Sequence, residues 1–121
     1  MNMNHSLVHE RFYFLRDLGN QTKKSDRFGI IHLMNSGMMK ALQKVVECIL
    51  YGWIPIRRLD YREFRHHVDA LRQIVTSGIS LVRKKETLKN LHKLLPRLLR
   101  ERYLHRVVHY ERVQNRRRAE S

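Results

Sequence analysis

The chain has 121 residues, 42% of them hydrophobic, and carries 25 lysines and arginines against 11 acids, a formal charge of +14. That hydrophobic share excludes a disordered basic tail, the length allows one domain, and a single cysteine excludes an intrachain disulfide and a cysteine-based zinc module. Five glycines and two prolines favour long helices over a turn-rich β fold.

The first expected helix runs from Ser6 to Leu18. Ser6 is a suitable N-cap, apolar residues follow at Leu7, Val8, Phe12, Leu15 and Leu18, and Gly19 supplies a stop. After a polar loop from Asn20 to Lys24, Ser25 and Asp26 open a short helix bearing Phe28, Ile30, Ile31 and Leu33. Ser36 then caps the clearest element, in which Met38, Met39, Leu42, Val45, Val46, Ile49 and Leu50 recur at helical spacing until Gly52. Trp53, Ile54 and Ile56, around Pro55, read as an apolar loop folding back over it.

A fourth helix is expected from Leu59 to Thr76, with a seam at Tyr61, Phe64, Val68, Leu71 and Val75 and an i,i+4 pair between Arg65 and Asp69. Gly78 ends it, and Ser80 caps a fifth. There Leu81, Leu88, Leu91, Leu94, Leu95 and Leu98 share a sector of roughly 140°. Leu99, Tyr103, Leu104, Val107 and Tyr110 lie in another sector, so the stripe turns near Pro96, where a kink is expected. A sixth segment, from Arg97 to about Val113, precedes a frayed basic tail at 114–121. The expected architecture is all-α: a single domain, 1–121, forming a bundle of five or six helices. Residues 6–81 would build most of the core and 80–113 would form a basic helical arm.

The charge is uneven. From Val82 onward, thirteen bases face four acids, so this third of the chain holds +9 of the +14. Such a surplus attracts polyanions by counterion release. The residues expected to carry binding are Arg83, Lys84, Lys85, Lys89, Lys93, Arg97, Arg100, Arg102 and Arg106. Lysine and arginine both neutralise phosphate, and arginine also grips it through two N–H groups. Thr76 to Ser80 has the length of the turn in a helix-turn-helix, which would present Ser80, Val82, Arg83 and Lys84 to a major groove. Tyr103 and Tyr110, beside Arg102 and Arg106, suit either base stacking or packing in the bundle.

Other chemistries have less in their favour. His5/His9 and His105/His109 are i,i+4 pairs without a third ligand, so no metal is expected. There is no Gly-rich phosphate loop, GxSxG or aspartate cluster, so no enzyme, cofactor or small-molecule substrate is expected. Cys48 lies in an apolar run and reads as a small core residue. No apolar run reaches the roughly 20 residues of a spanning helix. The first dozen residues lack the pattern of a signal peptide, and an intracellular or particle-enclosed protein is expected.

The stretch from Leu42 to Leu99 resembles a known group. An apolar helix ends in Leu50-Tyr51-Gly52, then come Trp53-Ile54-Pro55-Ile56, Leu71-Arg72-Gln73-Ile74 and Ser80-Leu81-Val82-Arg83-Lys84-Lys85. In order and spacing this is similar to the small basic proteins of Maverick/Polinton-type elements and related adintovirus-like DNA viruses. Those carry LxGxIPL, LRxL and SLxxKK segments in this order. Where they continue with Gly-Gly-Phe-Leu, this chain has His92-Lys93-Leu94-Leu95. The resemblance implies a virus-like genomic context and a virion or nucleoprotein role, located in the host nucleus or virion interior, otherwise the cytoplasm. It brings no site residues.

Together these features lead to the expectation of a non-enzymatic nucleic-acid-binding accessory protein. It would take DNA before RNA, in condensation or packaging without sequence readout. The alternative is a helical interaction module whose leucine face docks a capsid protein, a host protein or a second copy. An anionic membrane surface is a third, lesser partner.

Overall fold

The computed structural model describes residues 4–120 and is all-helical among them. In chain order the helices are α1 (Leu7–Glu10), α2 (Phe12–Asn20), α3 (Lys24–Leu33), α4 (Ser36–Leu50), α5 (Arg58–Arg65), α6 (Val68–Val75) and α7 (Leu81–Asn90). A 3₁₀ turn (His92–Leu94), α8 (Leu95–Leu98) and α9 (Glu101–Glu120) complete the chain.

Local sequence accounts for most boundaries. Ser6 and Ser80 cap α1 and α7 through their hydroxyls, which accept from the backbone N–H of His9 and Arg83. Asn35, one residue before the expected Ser36, caps α4, its Oδ1 accepting from Met38 N at 2.8 Å. Gly52 and Gly78 adopt φ of 68° and 86°, the left-handed conformation that lets the chain leave α4 and α6. Gly19 does otherwise. It stays helical within α2, which packs on α8, and a Cβ at this position would lie 2.8 Å from Leu99 Cβ.

Two expected helices are each divided. The first breaks at Arg11, between α1 and α2. The fourth breaks at His66 and His67, which separates Arg65 from Asp69, and Asp69 meets Arg72 at 3.8 Å instead. The expected kink near Pro96 is a longer interruption, with the short α8 set between Leu91 and Arg100. Pro96 sits at the start of α8, where its missing N–H costs no helix hydrogen bond.

The larger departure concerns the basic arm. Leu88, Leu91, Leu94, Leu95, Leu98, Leu99, Tyr103, Leu104, Val107 and Val108 are all buried, in one cluster with Leu15, Leu42, Val45 and Leu71. Among the described residues, 6–81 supply sixteen of the 26 buried hydrophobic side chains and 80–113 the other ten, so the stretch expected as a basic arm also packs into the core. Central α4 packs against α1, α6 and α9, and α9 also covers α1 and α2. Residues 114–120, expected to be frayed, continue α9, while Ser121 lies outside the described residues. No helix among the described residues is long and apolar enough to cross a membrane.

Candidate nucleic-acid interface

Two buried carboxylates organise the end of the chain that carries most of the charge. Asp60, fully buried in α5, accepts four hydrogen bonds. Arg97 Nη1 and Arg100 Nη2 donate to Oδ1, each at 3.0 Å. Arg100 Nε and the Tyr103 hydroxyl donate to Oδ2 at 2.7 and 2.6 Å. Tyr103 in turn accepts from the backbone N–H of Arg57 at 2.8 Å. Burial alone raises the Asp60 pKa, but hydrogen bonds from Arg100, Tyr103 and Arg97 outweigh it and hold it at about 2. The second carboxylate, Glu111, accepts from Ser6 Oγ at 2.8 Å and from the backbone N–H groups of Leu7 and Val8 at 3.1 Å. It fastens the start of α1 to α9.

Several residues of the expected binding set have partners inside the fold. Arg97 and Arg100 are committed to Asp60 as its counterions. Lys84 is buried on the α7 stripe between Leu81 and Leu88, and burial pushes its ammonium below the usual range while Glu47 pulls the other way. Of the four residues a helix-turn-helix reading would present, Lys84 is buried while Ser80, Val82 and Arg83 are exposed. Lys85 donates to the carbonyl of His32 at 2.8 Å, at the end of α3, and Arg106 donates to Pro55 O at 2.6 Å. Arg83, Lys93 and Arg102 are exposed.

Some of the cations that reach solvent line concave surfaces. Between α3 and α7, Lys24, Phe28, Glu86, Lys89, Asn90 and His92 line a cleft of about 550 Å³. The Lys24 and Lys89 ammonium groups stand 5.2 and 5.8 Å from the Phe28 ring centre. Burial, then Arg27, Lys24 and Lys93, depress the His92 pKa. The other surface follows α9, where Arg102, Arg106, His109, Val113 and Arg117 recur at three- and four-residue spacing on one face. Arg102 shares a cleft at the start of α9 with Arg57 and Arg100. One turn on, the loop after α4 forms a groove of about 480 Å³ whose walls include Trp53, Pro55, His105, Arg106, Tyr110 and Arg117, and no acid lines it.

Sequence reasoning left this groove unseen. Of the apolar loop expected to fold back, Ile54 is buried in the core and Ile56 packs against it, whereas Trp53 is 43% exposed, lies parallel to Tyr110 with ring centres 5.1 Å apart, and meets Tyr51 at 5.2 Å. Of the two tyrosines suited to stacking or packing, Tyr103 is fully buried and Tyr110 forms one wall of the groove. The available signal was the Arg102–Arg106–Arg117 periodicity, but nothing in the sequence says that the Tyr51–Pro55 loop packs beside it. Among the described residues no three His, Cys, Asp or Glu side chains converge as a metal site. Compared with known protein families, curated proteins and solved structures, the chain matches none of them.

Proposed function

We propose that the chain is a non-enzymatic nucleic-acid-binding protein that grips phosphates without reading sequence, in condensation or packaging. One observation carries this reading. After the core has used Lys84, Arg97 and Arg100, the face of α9 still presents Arg102, Arg106 and Arg117 along about 22 Å, beside a groove with no acidic lining. Such a row can meet phosphates spaced along a strand, and the net charge of +14 steers a polyanion towards it. The resemblance over Leu42 to Leu99 adds a setting, the genome of a virus-like element in the nucleus or virion.

Burial of Leu88, Leu91, Leu94, Leu95 and Leu98 weighs against the alternative in which this leucine face docks a partner.

The test is fluorescence anisotropy of two labelled duplexes of unrelated sequence, titrated over salt. Four phosphate contacts, at Arg57, Arg102, Arg106 and Arg117, give a log–log slope between about −3 and −4. Equal affinity for the two duplexes is expected. A flat salt dependence, or strong preference for one sequence, contradicts the reading.

A further inference from the structure

The cations of the α9 groove account for phosphate, but not for the aromatic rings beside them. Tyr51, Trp53 and Tyr110 form a continuous ladder, with centre-to-centre distances of 5.2 and 5.1 Å. Its Tyr51 end, beside the groove, faces solvent: Tyr51 is 59% exposed and Trp53, the middle ring, 43%. Leaving two large aromatic rings in water forgoes the burial that normally stabilises them. The position of the ladder is fixed from both sides. Gly52 turns the chain out of α4 at φ 68°, Trp53 N donates to Cys48 O at 2.9 Å, and Arg106 holds Pro55 O. The platform is therefore preorganised.

We propose that this groove takes an unpaired stretch of nucleic acid, with a base stacked on the Tyr51–Trp53 end of the ladder and the adjoining phosphates on Arg106 and Arg117. The inference rests on the reading of the chain as a nucleic-acid binder and adds the strand state it prefers. Duplex DNA satisfies the arginines but keeps its base faces inside the stack, so it leaves the rings unused. An unpaired strand supplies both phosphate and a free π face, and stacking tolerates any base. The charge selects the same occupant: the groove lining holds Arg106, Arg117, His105 and His109 without a carboxylate.

Trp53 is the only tryptophan, so its fluorescence reports on the ladder directly. The full-length chain is titrated with a thymine oligonucleotide, a uridine oligonucleotide and a duplex, each of about 20 nucleotides per strand, at matched salt. Unpaired strands quench the emission and bind more tightly than the duplex, and the stronger of the two identifies the sugar. Tyr51→Ala weakens strand binding by roughly tenfold, as expected for one lost stacking contact, and leaves duplex binding unchanged. Trp53→Leu, read by anisotropy of the labelled strand and checked for helix content by circular dichroism, gives the same selective loss. Strands that leave the emission unchanged, equal losses for strand and duplex, or quenching by anionic phospholipid vesicles alone overturn the proposal. If duplex binding persists in that case, only the stacking site is lost; if neither nucleic acid binds, the underlying reading falls with it.

Discussion

Asp60 shows how a basic chain uses a scarce acid. It is fully buried and bound by Arg97, Arg100 and Tyr103, and its pKa of about 2 lies below the 3.8 of a free aspartate. A lowered carboxylate pKa stabilises the fold above the unfolded value, and that contribution disappears as pH falls through the folded value. Near neutrality it is worth about 2 kcal/mol, and it is lost between about pH 4 and pH 2. Urea unfolding of Asp60→Asn is expected to show a loss of about 3 kcal/mol at pH 7, with little of the wild-type pH dependence below pH 4. An unchanged acid profile in the variant contradicts the clamp. Cys48 offers a second check. Burial, with Glu111 and Glu47 adding to it and Lys44 opposing, pushes its thiol up to about 12. A disulfide reagent therefore labels it only as fast as the protein unfolds, and rapid labelling of the native chain shows the site to be open. The apolar run around Cys48 made its burial legible from sequence. The partners of Asp60 were not, because Arg97 and Arg100 look like any other arginines in a charge run until the fold brings α5 beside them.

At the level of elements, glycines separate packing from propensity. Gly19 and Gly29 both lie inside helices. At Gly19 a methyl group meets Leu99 Cβ at 2.8 Å and the Leu99 carbonyl oxygen at 3.2 Å, so α2 and α8 must part. Gly19→Ala is expected to cost about 1–3 kcal/mol by overpacking. At Gly29 nothing lies within 4 Å, and Gly29→Ala is expected to stabilise by about 0.5–1 kcal/mol through helix propensity. Thermal unfolding of the pair checks both signs. Capping gives a third case, since Glu111 satisfies the first N–H groups of α1 from across the fold. Glu111→Ala is expected to cost about 1–2 kcal/mol and to speed amide exchange at residues 7–10. Caps at Ser6 and Ser80, the α4 stripe and the stops at Gly52 and Gly78 could all be read from local spacing. Divisions at Arg11 and at His66–His67 could not, because no local stop signal marks them. Lys84 was readable in principle: it fills the α7 stripe between Leu81 and Leu88, a position its charge alone obscured.

For the whole molecule, the charge asymmetry marks a stretch of the chain but does not say which of its cations reach solvent. Leucines and cations alternate after Ser80, and the leucines draw this stretch into the core beside α4. The cations are thereby sorted: some are committed internally, some face the α3–α7 cleft, and a row on α9 is left facing outward. That sorting depends on contacts between residues far apart in sequence, such as Asp60 with Arg100 and Ser6 with Glu111. Composition alone cannot supply it.

The most direct test of the account compares two pairs of charge removals in the duplex-binding assay. Arg102→Gln with Arg117→Gln removes exposed cations from the α9 row, whereas Arg83→Gln with Lys93→Gln removes exposed cations elsewhere in the expected arm. Both pairs remove the same net charge and spare the core. The account predicts that the α9 pair flattens the log–log salt slope by about 2 and weakens binding strongly, while the other pair leaves the slope near its wild-type value. Equal effects from the two pairs would contradict it, and would mean that the charge acts as a diffuse field rather than through the face of α9.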